Sequence, residues 1–287
     1  MERGEKYFNS QQYKEAVIEF KNAVKAAPDN PQARYSLGNA YIRTGAKQNV
    51  RQGFQELTKA IELDPGLLDA QLVLGELYLL SGQFDQALQK AELILQKEPN
   101  HLDARMLMAN SLARKNELKK AISIMEKVVS ENRDSPKPRM VIAGIYIANN
   151  EFGKAENSYK KAIELKGNLI PPRLALAALY GIQGKKSLAE KELQKALKVD
   201  PKNMNVLNVL ANFYFSEKKF TDAEETYRKI ITQYPDHSRA YIRLSNYFMA
   251  TGRQADAEKA IKGGIEKNPK ATILKSRLAE LLLDRRK

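Results

Sequence analysis

Few side chains in this sequence can do chemistry, and their spacing favours recognition over catalysis. The two histidines, His101 and His237, each follow directly on Pro-Asn or Pro-Asp. A lone imidazole in such a turn lacks the companions of a catalytic triad or a metal site. Each is therefore read as a turn or cap residue. The stretch Gly181-Ile-Gln-Gly184-Lys-Lys-Ser187 has the residue types of a phosphate loop. It lacks the required Gly–four residues–Gly-Lys-Ser/Thr spacing, and no strand pattern precedes it. Carboxylate pairs such as Glu224-Glu225, or Glu190 with Glu192, lie among lysines as solvated helix surface. Cysteine is absent, which removes thiolate ligands, cysteine nucleophiles and disulfides. No catalytic residue, cofactor or metal is expected. What remains is a set of amides, Asn39, Asn110, Asn212 and Asn246, at one recurring position. An amide offers a donor and an acceptor together, which suits the backbone of an extended peptide.

The elements that position these residues are set by a repeat. Tyr7, Tyr41, Tyr78, Leu112, Tyr146, Tyr180, Tyr214, Phe248 and Leu282 follow one another at steps of 34 residues, except the second step, which is 37. Ala87, Ala121, Ala155, Ala189, Ala223 and Ala257 keep the same period, with Ala16 in the first repeat. Helix stoppers form a third register at Pro28, Pro65, Pro99, Pro201, Pro235 and Pro269, with Arg133 and Gly167 as exceptions. Within one repeat, Leu72, Leu74, Leu77 and Tyr78 and then Phe84, Leu88, Ala91 and Leu95 recur at helical spacing, separated by Ser81-Gly82-Gln83. Each repeat is thus a helix pair on a short loop. One pair cannot bury both its faces, but stacked neighbours can.

These residues resemble the tetratricopeptide repeat family. Leu74-Gly75, Tyr78, Gly82, Ala87 and Pro99 carry its pattern in one repeat, and Ala16, Phe20, Ala23 and Pro28 carry it in the first. The resemblance covers essentially the whole chain. It implies an all-α, right-handed α-solenoid superhelix of stacked antiparallel helix pairs. The expected repeats are 1–30 (first helix truncated), 31–67 (a three-residue insertion, placed in the loop around Gly45 to Gln52), 68–101, 102–135, 136–169, 170–203, 204–237 and 238–271. Residues 272–287 form a trailing helix. Leu278, Leu281, Leu282 and Leu283 would leave that helix with uncovered apolar surface. The expectation is a segment cut from a longer array, or a homodimer that masks this end.

The resemblance also implies that the first helix of each repeat lines the concave face and binds peptides or partner helices. By register this face holds Tyr35, Asn39 and Arg43; Leu72, Glu76 and Leu79; Met106 and Asn110; Met140 and Ile147; Asn208 and Asn212; and Arg239, Arg243 and Asn246. From Leu72 through Met106 and Met140 to Ile182 the wall reads as apolar. That is either an exposed recognition patch or packing against neighbouring helices. Asn208, Asn212, Arg239, Arg243 and Asn246 are similar to the family's carboxylate-binding clamp, with Asn208 where that clamp has lysine.

Composition limits the rest. The 287 residues are 43% hydrophobic and 29% charged, ample for a large core, with no apolar run near membrane-spanning length. Met1-Glu2-Arg3-Gly4-Glu5 has no apolar stretch behind it and is not a secretory signal. Lack of cysteine fits cytoplasm and periplasm alike. The net charge of +14 can attract nucleic acid, anionic lipid or an acidic protein, or can simply be a lysine-rich helical surface. The leading expectation is a protein-interaction scaffold, similar to the long bacterial repeat proteins of envelope assembly, exopolysaccharide export and surface-protein sorting. A basic helical-repeat nucleic-acid binder and a purely structural spacer are the alternatives. Against the first of these, the inner positions lack a regular base-reading code.

Overall fold

The computed structural model describes residues 1–284, the last of them by backbone alone. Its described residues form seventeen helices and no strand. First helices of the pairs are α1(Glu2–Asn9), α3(Pro31–Arg43), α5(Leu68–Leu80), α7(Leu102–Arg114), α9(Pro136–Ala148), α11(Ile170–Ile182), α13(Met204–Ser216), α15(Ser238–Ala250) and α17(Thr272–Asp284). Second helices are α2(Tyr13–Ala26), α4(Lys47–Leu63), α6(Phe84–Lys97), α8(Leu118–Glu131), α10(Phe152–Leu165), α12(Lys186–Val199), α14(Phe220–Gln233) and α16(Gln254–Lys267).

The period follows from these lengths. Thirteen residues of first helix, three of turn, fourteen of second helix and four of connection make one 34-residue repeat. The odd step of 37 has a different origin from the one expected. The turn Thr44–Ala46 keeps the usual three residues, and the insertion lengthens α4 to 17. An added helical turn satisfies its own backbone hydrogen bonds, which an enlarged loop would not.

Every three-residue turn places its middle residue in the left-handed region, as in Gly82 at φ 80°. Glycine, which has no Cβ to clash there, fills four of the eight turns; Asn116, Asn150, Gln11 and Lys218 fill the others. The four-residue connections close differently. The side chain of Asn30 accepts from the Ala33 N–H at 2.9 Å, His101 Nδ1 from Ala104 at 3.2 Å and Asn203 from Val206 at 3.1 Å. His101 is thus a helix cap. His237 makes no such bond.

A further register ties each connection down. Arg34, Gln71, Arg139 and Arg173 stand one turn into their helices and donate to the carbonyls of Pro28, Pro65, Arg133 and Gly167, six residues back. Arg34 also pairs with Glu56 at 2.7 Å and Arg173 with Glu192 at 3.2 Å; Arg105 pairs with Glu131. Arg34 and Arg173 thus bind a carbonyl and a second-helix carboxylate together, a use of the planar fork that lysine cannot match.

The alanine ladder is the packing seam. Ala16, Ala87, Ala121, Ala155, Ala189, Ala223 and Ala257 are almost fully buried. In α4 the place is taken by Gly53, whose added Cβ would lie 2.7 Å from the Gly38 carbonyl oxygen, so α3 and α4 touch backbone to backbone. Contacts divide the chain into two compact units, Met1–Ser158 and Tyr159–Lys287, with the division inside α10. Each is a stretch of all-α helical solenoid.

In both units successive first helices touch one another: α5 with α7 and α7 with α9 in the first, α15 with α17 in the second. The first helices therefore form the closely spaced inner side of each unit. At α17, Leu274 and Leu281 are buried, and Ile273, Leu282 and Leu283 are exposed.

Candidate partner-binding faces

In the first unit the inner positions come together as a charged network over a filled apolar wall. Tyr35 is half-buried against Leu57, Ala60, Ala70 and Leu74. Burial, and then Asp69, push its hydroxyl pKa up, while Asn39 and Arg43 oppose. Glu76 is solvent-exposed as a residue, yet enough protein surrounds its carboxyl that burial raises its pKa. Lys137 and Arg43 pull it back and Asp103 adds to the rise. Lys137 bridges α9 to α7 through Asp103 at 2.5 Å. Three other first helices, α3, α7 and α9, thus place Arg43, Asp103 and Lys137 within electrostatic reach of Glu76 on α5.

The apolar part of the wall departs from the groove expectation at Met106. Its side chain is 3% exposed and belongs to the core. The reason is position: α7 touches both α5 and α9, and a residue on that side is wedged between neighbours. Leu72 and Leu79 are half-buried and pack on Ala87, Ala91 and Leu107. Met140, Ile147 and Asn110 are half-buried, whereas Leu80 is 84% exposed.

The second unit presents a different face. Arg239 and Arg243 are exposed, and among the described residues neither has a carboxylate in ion-pair reach. Asn212 Oδ1 accepts from the Tyr227 hydroxyl at 2.8 Å, and Asn246 Oδ1 accepts from Arg277 at 2.9 Å. Each amide carbonyl is therefore engaged internally through one lone pair, and the NH2 groups of the two exposed side chains are free to donate. Asn208 is half-buried, its Oδ1 fully enclosed with no hydrogen-bond partner. Burial raises the Tyr227 pKa, with Arg243 close enough to oppose it. Ile182, on α11, is 64% exposed.

Arg277 is the residue the sequence reading missed. It lies 34 positions after Arg243, in the same register, and the trailing helix drew attention only for its leucines. Among the described residues there is no cluster of three or more His, Asp or Glu able to hold a metal, and no helix long and apolar enough to cross a membrane.

Comparison with known proteins agrees with this geometry. Family models described as "Tetratricopeptide repeat" match residues 46–110, 81–145, 182–241 and 214–281, and another matches 137–169; a "TPR repeat" model matches 4–45. The chain is 30% identical over 88 residues to Hsp70-Hsp90 organizing protein 2 of Arabidopsis thaliana, a match covering 31% of this chain and 15% of that protein. It is 30% identical over 87 residues to U-box domain-containing protein 70 of Oryza sativa subsp. japonica, covering 30% and 10%. The match thus spans a minor part of each of these relatives.

Among solved structures, a tetratricopeptide repeat protein from Parabacteroides merdae superposes with a TM-score of 0.54 at 16% identity, over 88% of this chain and 98% of that one. The human IFIT1 dimer with m7Gppp-AAAA gives 0.59 at 16%, over 90% and 68%, and the APC/C hetero-tetramer Cut9-Hcn1 gives 0.55 at 13%, over 97% and 54%. These likenesses are of fold. With helix pairs of the right lengths, an alanine seam and family matches over well more than half its length, the chain belongs to the tetratricopeptide repeat family.

Proposed function

We propose that this chain is a scaffold that holds a segment of a partner protein against the inner faces of its first helices. The observation that carries the reading is the donor-rich surface of the second unit. Arg239 and Arg243 are exposed without carboxylate partners, and Asn212 and Asn246 have their carbonyls tied back by Tyr227 and Arg277. A surface rich in donors is complementary to a group that only accepts, above all a peptide carboxylate. Asn208 stands where the family's clamp has lysine, so the carboxylate is held chiefly from α15. In the first unit Arg43, Glu76 and the exposed Leu80 form a separate face of mixed charged and apolar character. The setting we propose is assembly of a bacterial envelope or export complex, on the resemblance of these leucine- and lysine-rich, cysteine-free repeats to proteins of that kind.

The test compares mixed-sequence octapeptides with free C-termini against the same peptides amidated, by fluorescence anisotropy. Hydrogen bonds to charged groups contribute about 1.5–3 kcal/mol, so the free acids should bind at least about tenfold tighter, and Arg239→Ala with Arg243→Ala should abolish the difference. Equal binding of both pools, or an unaffected double variant, would sink the clamp. RNA capture that survives added salt would favour the nucleic-acid reading instead.

A further inference from the structure

The charge of this protein is unevenly divided. Residues 1–158 hold 22 basic and 20 acidic side chains, a net +2, whereas residues 159–287 hold 26 and 14, a net +12. Arg285, Arg286 and Lys287 lie outside the described residues, and without them the second unit still carries +9.

Within that unit the excess is concentrated on the outer side. Each second helix buries one stripe: Ala189, Leu193 and Ala196 in α12, Ala223, Tyr227 and Ile230 in α14, Ala257, Ile261 and Gly264 in α16. The opposite stripe, at helical spacing, carries Lys191, Lys195 and Lys198 on α12, Lys229 beside Arg228 on α14, and Lys259 and Lys262 on α16, against only Glu225 and Glu266. Lys195 and Lys262 pair with Glu192 and Glu258 on their own helices. Among the described residues Lys191, Lys198, Lys229 and Lys259 have no carboxylate in reach. The same stripe of the first unit is nearly neutral, with Lys21, Lys25, Lys59 and Lys127 against Glu62, Glu92 and Glu126.

The composition of this face selects the kind of anion. Among the described residues of α12, α14 and α16 the one exposed large aromatic is Phe220, at the start of α14, and a single ring gives the face no platform on which successive single-stranded bases could stack. Its cations are nearly all lysines, compact charges on flexible stems, where fixed phosphates and base edges are better gripped by arginine forks. Leu188, 42% exposed, and Val199, 38% exposed, flank the lysines of α12. Flexible cations with aliphatic groups beside them suit headgroups that diffuse to meet the charge.

We propose that the outer face of the second unit docks on an anionic phospholipid surface, through lysines of α12, α14 and α16. This leaves the inner faces free for a protein partner.

The test is co-sedimentation of the full chain with vesicles of phosphatidylcholine, alone or mixed with phosphatidylglycerol. Binding is expected only to the mixed vesicles. At about fivefold per cation, Lys→Gln at 191, 198, 229 and 259 should weaken it on the order of 500-fold. The matched variant of the first unit, Lys→Gln at 21, 25, 59 and 127, removes the same charge and should weaken it less than about tenfold.

Equal losses in the two variants would mean attraction by net charge alone and overturn the proposal. So would binding to pure phosphatidylcholine, or binding of a nucleic-acid duplex with the vesicles ignored. Amine-reactive labelling of the unaltered protein gives a readout independent of any variant's folding. Vesicles should protect Lys191, Lys198, Lys229 and Lys259 but not Lys21, Lys59 or Lys127, and the reverse pattern would refute the assignment. Loss of peptide capture with vesicle binding intact would break the scaffold reading and leave this one standing.

Discussion

The fifth residue of the first helix shows how differently the two units use one register. In the first unit it is Tyr35, Leu72, Met106 and Met140, apolar or half-buried, with Met106 sealed between α5 and α9. In the second it is again half-buried and apolar at Leu174 and Ile242, but between them stands Asn208, with a carbonyl oxygen enclosed and unpaired, and other positions of the same helices expose Asn212, Arg239, Arg243 and Asn246. The first wall stabilises the stack; the second keeps donors open at some cost to stability. A tetratricopeptide register specifies packing at a few positions per repeat, and the positions left over are where two halves of one chain diverge.

Three measurements break or sharpen this contrast. The largest effect is expected at the sealed position. Met106→Ala should destabilise the protein by about 3 kcal/mol in urea unfolding while leaving peptide capture unchanged. A loss of capture at unchanged stability would return Met106 to the groove.

The opposite sign is expected for Asn208→Leu. It removes an enclosed, unpaired acceptor and should raise stability by about 1 kcal/mol. A destabilised variant would show that Asn208 makes a contact that matters to the fold.

The smallest effect concerns acid. The Glu76 carboxyl is raised by burial, so its ionised form is disfavoured in the fold. Its contribution is fully present below the unfolded-state value and is lost as pH rises through the higher folded one. Glu224 behaves oppositely: burial pushes it up, but Arg253 and Arg228 outweigh this and hold it down. Its contribution exists above the unfolded value and disappears as pH falls through the folded one. Thermal melts should therefore show Glu76→Gln slightly more stable than the parent at neutral pH and level with it in acid. Glu224→Gln should be less stable at neutral pH, converging on the parent in acid. Parallel pH profiles would remove this difference between the units.

The helix pairs were legible because their signals are local. Tyrosine, alanine and proline at one period, and a turn residue such as Gly82, act within a few residues of themselves. The insertion was legible in size but not in place, since length alone does not distinguish a longer loop from a longer helix. The arginine ladder at Arg34, Arg139 and Arg173 went unread because its partners are backbone carbonyls, which have no signature in sequence. The uneven charge was open to counting, but nothing in sequence marked residue 158 as the place to divide the count.

By itself the sequence determined the all-α class, the pairing of helices and the alanine seam, because each follows from periodicity and side-chain size. Only the tertiary structure decided which inward positions are open. Whether Met106 is enclosed or Leu80 exposed depends on how closely neighbouring first helices approach. Whether Asn212 and Asn246 donate or accept depends on Tyr227 and Arg277 reaching them from other helices. Those are distances between elements far apart in the chain, and they are set by packing.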